Sequence, residues 1–119
     1  MITRSIHVLA VPDLVASSAF YREVLGFEIR AMDDPGWRLY VNGACRIMAG
    51  ECRDALPPAD LGDHSYVAYL VVEDIGVYQR RIAEQAVEIV KPIRDEPWGM
   101  REMGIRTADG HRLMLAEAT

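Results

Sequence analysis

Only two cysteines, Cys45 and Cys52, occur in the 119 residues, and they form neither a C-x-x-C pair nor part of a Cys/His cluster. Both read as inert, reduced thiols. Basic residues are also short: 13 Lys and Arg stand against 18 Asp and Glu, a net charge of −5, with the charges scattered in ones and twos. Neutralising phosphates needs a basic stripe, so nucleic acid is not an expected partner. No apolar run approaches the ~18 residues of a membrane span. Met1–Thr3 lead into a strand-like segment without the pattern of a signal peptide, so the expectation is a cytoplasmic chain with no membrane partner. There is no G-x-S-x-G elbow, no cysteine with an identifiable base and no glycine-rich phosphate loop after a strand, which leaves nucleophilic catalysis and nucleotide cofactors without support.

What is present is an ordinary globular composition, 50% hydrophobic and 26% charged, of a length that suits one domain spanning 1–119. Residues 4–11 read as a strand, and Asp13 caps a helix in which Leu14, Ser17, Tyr21, Val24 and Leu25 share a stripe, with Gly26 as its left-handed stop. Of the adjacent aromatics Phe20 and Tyr21, Tyr21 is in phase with that stripe and Phe20 is the more apolar. Strand 27–33 follows, then a turn at Asp33–Gly36. Next comes a strand in which Trp37, Leu39 and Val41 alternate, then the Asn42-Gly43 hairpin signal and strand 44–49. A connector rich in Pro and Gly leads to the same order again. Strand 65–72 precedes a helix capped by Asp74 with Ile75, Tyr78, Ile82 and Ala86 in line. Strand 87–91, a loop at Pro92–Gly99, and a hairpin of 101–107 and 111–117 complete the chain.

Each half therefore reads β-α-β-β-β: module 1 about 1–51, connector about 52–63, module 2 about 64–119. The letters repeat as well as the pattern. Val11-Pro12-Asp13-Leu14 matches Val72-Glu73-Asp74-Ile75, and Arg46-Ile47-Met48-Ala49-Gly50-Glu51 matches Arg112-Leu113-Met114-Leu115-Ala116-Glu117, in the same order. The fold class is α+β, two tandem modules whose mixed sheet forms a cup. One helix covers one face of a four-stranded sheet, so the other face needs a partner, and a trough there is where a ligand would lie.

Val11-Pro12-Asp13-Leu14, Phe20-Tyr21, Leu25-Gly26-Phe27, Trp98-Gly99-x-Arg101-Glu102 and Asp109-Gly110-His111 together resemble the vicinal oxygen chelate superfamily of glyoxalase I, bleomycin resistance proteins and extradiol dioxygenases. The W-G-x-R-E segment resembles most the bleomycin-resistance branch. This resemblance implies paired modules, homodimers with cups at or near the interface and, in metal-using members, ligands on the first and last strands of each module. Carried over position by position, the ligand sites here are Ile6, Met48, Val67 and Met114, a set without a hard or borderline donor. No cofactor is expected on that alignment. The competing constellation is a divalent metal held by His7, Glu51, His64 and Glu117; a one-residue shift of register decides between the two, because it turns a strand side chain to the opposite face.

Further residues keep two readings each. Trp98, between Pro97 and Gly99, lies beside the pocket or packs at a surface; Met48 and Met114 line the pocket or fill core; Tyr66 and Tyr69 offer hydroxyls to a ligand or an interface. Arg101 binds an anionic or carbonyl oxygen or pairs with Glu102, Glu51 or Glu117, the pairing being favoured. His111 is expected to face solvent or pack on an arginine. The leading reading is a homodimeric, metal-free small-molecule-binding protein whose amphipathic or aromatic ligand meets Ile6, Met48, Val67, Met114, Trp98, Arg101 and Tyr66. The alternative is a metal-dependent lyase, isomerase or dioxygenase, and a cup that serves assembly alone is a third.

Overall fold

The computed structural model describes all residues, Met1–Thr119, as two compact units, Met1–Ala55 and Leu56–Thr119. In the first, β1 (His7–Val11) is followed by α1 (Leu14–Glu23), β2 (Glu28–Ala31), β3 (Trp37–Asn42) and β4 (Cys45–Glu51). The sheet order is β1-β4-β3-β2, with β1 parallel to β4 and the other pairs antiparallel. In the second, β5 (Tyr66–Val71), α2 (Ile75–Glu84), β6 (Ile89–Glu96), β7 (Met100–Arg106) and β8 (Arg112–Ala118) form a sheet of order β5-β8-β7-β6 with the same parallel and antiparallel pairs. Two four-stranded mixed sheets, each with one helix, reproduce the duplicated β-α-β-β-β order.

The helices start where the sequence placed them because the same device is used twice. Asp13 Oδ1 accepts from the amides of Val15 (3.0 Å) and Ala16 (3.1 Å), and Asp74 Oδ1 from Gly76 (2.9 Å). A second carboxylate arrives from the last strand of each unit: Glu51 Oε2 accepts from Leu14 N at 3.0 Å, and Glu117 Oε1 from Ile75 N at 2.9 Å. Three orphan amides of α1 and two of α2 are thereby satisfied, and the negative charge lies at the positive end of the dipole. The repeat seen in the letters is a repeat of this capping.

Leu14, Ser17, Ser18 and Tyr21 are buried on α1, with Val24, Leu25 and Phe27 beneath its end. Tyr21 is fully covered and touches Phe27 and Tyr40, with ring centroids 5.4 and 4.7 Å away, whereas Phe20 is only half-buried. On α2, Ile75 and Ile82 are buried but Tyr78 is half-buried. Ala86 is exposed, beyond the helix, at φ 52°. Like Gly26 at φ 74° past the first helix, it is a left-handed residue just beyond its helix cap, so the expected stripe ends one turn early.

The largest difference is at β6. Pro92 suggested a loop, yet the strand runs through it to Glu96. Proline is tolerated because β6 is an edge strand and the register shifts on either side of Lys91, placing Pro92 where no ladder bond is required. His111 also differs from expectation: it is buried, not solvent-facing. The 3₁₀ segment Pro58–Asp60 covers the hairpin turn, its backbone 3.7 Å from where a Cβ on Gly110 would stand. Burial pushes the His111 imidazole below its ordinary pKa.

Candidate functional site

Strand register assigns faces. In the first unit Leu9, Ala49 and Ile47 are buried and Glu51 caps α1, so His7, Leu9, Val11, Ile47, Ala49 and Glu51 turn to the helix. Val8, Met48, Leu39, Trp37 and Gly50 share the helix-free face. Gly50 is required there, because a Cβ would lie 2.7 Å from the Trp37 ring. Ile6 precedes β1 and is outside the ladder.

In the second unit Glu117 caps α2, and Leu115, Leu113, Ile105 and Met103 are buried on its side. The opposite, helix-free face carries Met114, Ala116, Gly104 and Glu102 with Tyr66 and Tyr69 from β5 and Lys91, Arg94 and Glu96 from β6. Met114 thus lies with Tyr66 and Tyr69. Val67 does not: it falls at a bulge between Tyr66 and Ala68, where the register shifts, and Tyr66 takes the inward place instead.

Around Glu102 this face assembles a polar cluster. Glu102, 3% exposed, accepts at one oxygen from the Tyr69 hydroxyl (2.6 Å) and the Trp98 indole N–H (2.7 Å), and at the other from Lys91 Nζ (2.7 Å). Lys91, the only lysine of the chain, also donates to Glu96 Oε1 at 2.9 Å. Arg94 grips Glu96 from outside, Nε to Oε1 at 2.6 Å and Nη2 to Oε2 at 3.1 Å. Burial alone would raise the Glu102 pKa, but the three donors outweigh it and hold the carboxyl below its ordinary range. Lys91 is held above the ordinary lysine value, since its bonds to Glu102 and Glu96 outweigh burial. Burial and the bond to Glu102 raise the Tyr69 phenol. Both directions favour the ionised pair, Glu102 as carboxylate and Lys91 as ammonium. The cluster holds two aromatic rings in place; Trp98 remains 62% and Tyr69 46% exposed.

Arg101 is not among these residues. Its register pairs it with Asp95 and Glu117 on the helix side, and it binds Asp95 through Nε–Oδ1 (2.6 Å) and Nη2–Oδ2 (3.1 Å). The expected ion pair exists with a different partner, the residue directly opposite across β6. The residues of the competing metal set have these places within their own units. Glu51 and Glu117 accept from helix amides on the helix side, His7 shares that side in its unit, and exposed His64 lies two residues before β5 at φ 75°. No three His, Cys, Asp or Glu side chains are gathered where they would hold a metal ion. At the places carried over from metal-using members, Met48 and Met114 offer only thioether sulfur, and the carboxylates of Glu96 and Glu102 are taken up by Lys91, Arg94, Tyr69 and Trp98.

Sequence reasoning missed Arg94 and Glu96 because Pro92 placed them in a loop, and Lys91, at the end of strand 87–91, was given no role. Glu102 was seen only as a partner for Arg101. A signal was nonetheless present: a single lysine in a chain otherwise using arginine, followed by two charged residues spaced to share a face once a bulge is allowed.

A duplicated β-α-β-β-β chain, each half a four-stranded mixed sheet with one helix, defines a class of α+β folds. The residues from 4 to 115 match the family model of the Glyoxalase/Bleomycin resistance protein/Dioxygenase superfamily, and the chain belongs to it. Solved structures agree in fold. TioX from Micromonospora sp. ML1 aligns over 98% of this chain and 99% of its own at 20% identity and TM-score 0.77. The fosfomycin resistance protein FosX from Mesorhizobium loti aligns over 100% and 95% at 15% identity and TM-score 0.76. Hypothetical protein SA1046 from S. aureus aligns over 99% and 95% at 19% identity and TM-score 0.78. Identities this low speak for the fold alone. No curated protein matches the chain. No helix is long and apolar enough to cross a membrane.

Proposed function

We propose that this chain is a small-molecule-binding protein of the glyoxalase/bleomycin-resistance type that works without a metal, as a cytoplasmic homodimer, and takes an amphipathic or aromatic ligand. The observation that carries the reading is the pair of exposed rings, Trp98 and Tyr69, both hydrogen-bonded to one oxygen of buried Glu102. Aromatic surface held rigid costs little entropy on binding, which is what a recognition surface requires. Met114 supplies an adaptable apolar floor on the same face. The metal-free part rests on the donor set: the carboxylates that would serve, Glu51 and Glu117, hold helix amides instead.

One titration series tests this reading. An aromatic ligand shifts Trp98 emission and raises the melting temperature; in Trp98→Phe the emission response is lost while the fold survives, Trp37 on the first unit serving as internal control. Zn²⁺, Ni²⁺, Mn²⁺ or Fe²⁺ leaves the melting temperature unchanged, although a bound metal at 100 times its dissociation constant would add about 2.7 kcal/mol. Stoichiometric metal in tag-free protein, lost with an activity in Glu117→Gln or His7→Ala, would overturn the metal-free reading in favour of a metal-dependent enzyme. Sedimentation reports the dimer, and a monomer alone at micromolar concentration removes it.

A further inference from the structure

Donors and acceptors on the helix-free face of the second unit do not balance. All four carboxylate oxygens of Glu96 and Glu102 already accept: from Lys91 and Arg94 at Glu96, and from Lys91, Tyr69 and Trp98 at Glu102. An ammonium has three protons, and Lys91 uses two of them within the chain. The half-buried Tyr66 side chain is the second donor without an acceptor. Its hydroxyl lies 3.0 Å from the point where a Cβ on Gly104 would stand, and the Lys91 Cβ stops at the same distance from that point. Gly104 thus leaves room for the Tyr66 ring beside the lysine stem, on the face that also carries the ammonium. Charges, unlike hydrogen bonds, are balanced: Lys91 and Arg94 cancel Glu96 and Glu102. A ligand carrying a full charge would break that neutrality where side chains are partly desolvated, and a cation would meet N–H and O–H groups rather than acceptors.

We propose that this face takes an uncharged aromatic compound bearing a carbonyl-type oxygen. The oxygen accepts from the Tyr66 hydroxyl and the third Lys91 N–H, and the ring lies against Trp98 and Tyr69. This assignment rests on the face being the ligand site. It deepens that reading by naming the functional group recognised and the two residues that select it.

Four matched naphthalenes separate the possibilities: 2-acetylnaphthalene, 2-ethylnaphthalene, 2-naphthoate and (2-naphthyl)trimethylammonium, each measured by equilibrium dialysis against the intact chain at neutral pH. The ketone binds about 10-fold tighter than the other three, a factor equal to about 1.4 kcal/mol and the size of one net hydrogen bond. Tyr66→Phe removes only an oxygen that has no partner in the fold. It therefore leaves the affinity for 2-ethylnaphthalene unchanged and cuts that for the ketone to within about 3-fold of it. If the hydrocarbon binds as well as the ketone, or the preference survives in Tyr66→Phe, the acceptor assignment is wrong while the face remains a ligand site. Tighter binding of naphthoate or of the ammonium compound overturns the uncharged assignment. If none of the four binds, the site reading and this inference fall together.

Discussion

Replacing Lys91 by Met tests the ion cluster at its centre. Methionine keeps most of the stem that packs over Gly104, so little cavity is created, and the change isolates the ammonium. What is lost at Glu102 is a charge-assisted bond of 2.7 Å, leaving a carboxylate that is 3% exposed with two neutral donors and no cation. A bond of this kind contributes about 1.5–3 kcal/mol, and stranding one partner of a fully buried pair costs about 3–5. Lys91 keeps 24% side-chain exposure, and Tyr69 and Trp98 stay in place, so about 2–4 kcal/mol is expected at pH 7.5. With a urea slope near 1.5 kcal/mol/M, the midpoint falls by roughly 2 M. The sign of the pH dependence follows from linkage. In the parent chain the folded pKa of Glu102 is depressed, so its contribution is present above about pH 4.3 and is lost as pH falls through the lower folded value. Without Lys91, burial raises that pKa, and the penalty is relieved as the acid protonates. The difference between the two proteins is therefore large at pH 7.5 and shrinks by pH 4.5. Adding Glu102→Gln to the variant regains at least about 1 kcal/mol at neutral pH, because the buried charge is gone. Urea denaturation followed by circular dichroism reads all three. A loss under about 1 kcal/mol, or one that does not change with pH, would refute the reasoning.

Two further substitutions probe the helices. Tyr21→Ala costs about 3–5 kcal/mol, because a fully covered ring is removed from contact with Phe27 and Tyr40, whereas half-buried Phe20→Ala costs about 1–2; thermal unfolding that ranks them the other way contradicts the phase of α1. Ala86→Gly relieves a left-handed alanine at φ 52° and raises stability by up to about 1 kcal/mol, whereas Gly26→Ala imposes the same strain at φ 74° and lowers it by a similar amount; effects of one sign in both would contradict the left-handed assignment.

The architecture could be read from the chain because its signals are local and occur twice. Asp13 and Asp74 as caps, the apolar stripe through Leu14 and Tyr21, Gly110 in the last hairpin and the paired tetrapeptides each depend on neighbours a few residues away. Strand parity placed Glu117 on the face opposite Met114, although the task of Glu51 and Glu117, holding amides 37 and 42 residues distant, was not legible. Where reading failed, a long-range fact overrode a local rule. Pro92 forbids a central strand but not an edge, and no local pattern says which strand lies at the edge. The bulge at Val67 similarly moved Tyr66 inward against a simple count. Because the meeting of Lys91 and Glu96 with Glu102 depends on the irregular edge strand β6, the fold was far more visible than the cluster it positions.

The parallel pairing of first strand with last has a kinetic consequence. β1 has no neighbour but β4, and β5 none but β8, so an emerging unit holds its opening apolar strand unpaired until its closing strand exists. Each unit must close a loop of some forty residues before that strand gains a ladder, which slows folding relative to a meander of hairpins. Synthesis thus passes twice through an interval in which a short apolar strand, His7–Val11 and later Tyr66–Val71, is available to the wrong partner. The glutamate at the end of each closing strand limits that interval: when Glu51 or Glu117 reaches its helix amide, strand, helix and sheet lock in one event. A chain lacking that carboxylate would be expected to aggregate during refolding out of proportion to its equilibrium stability.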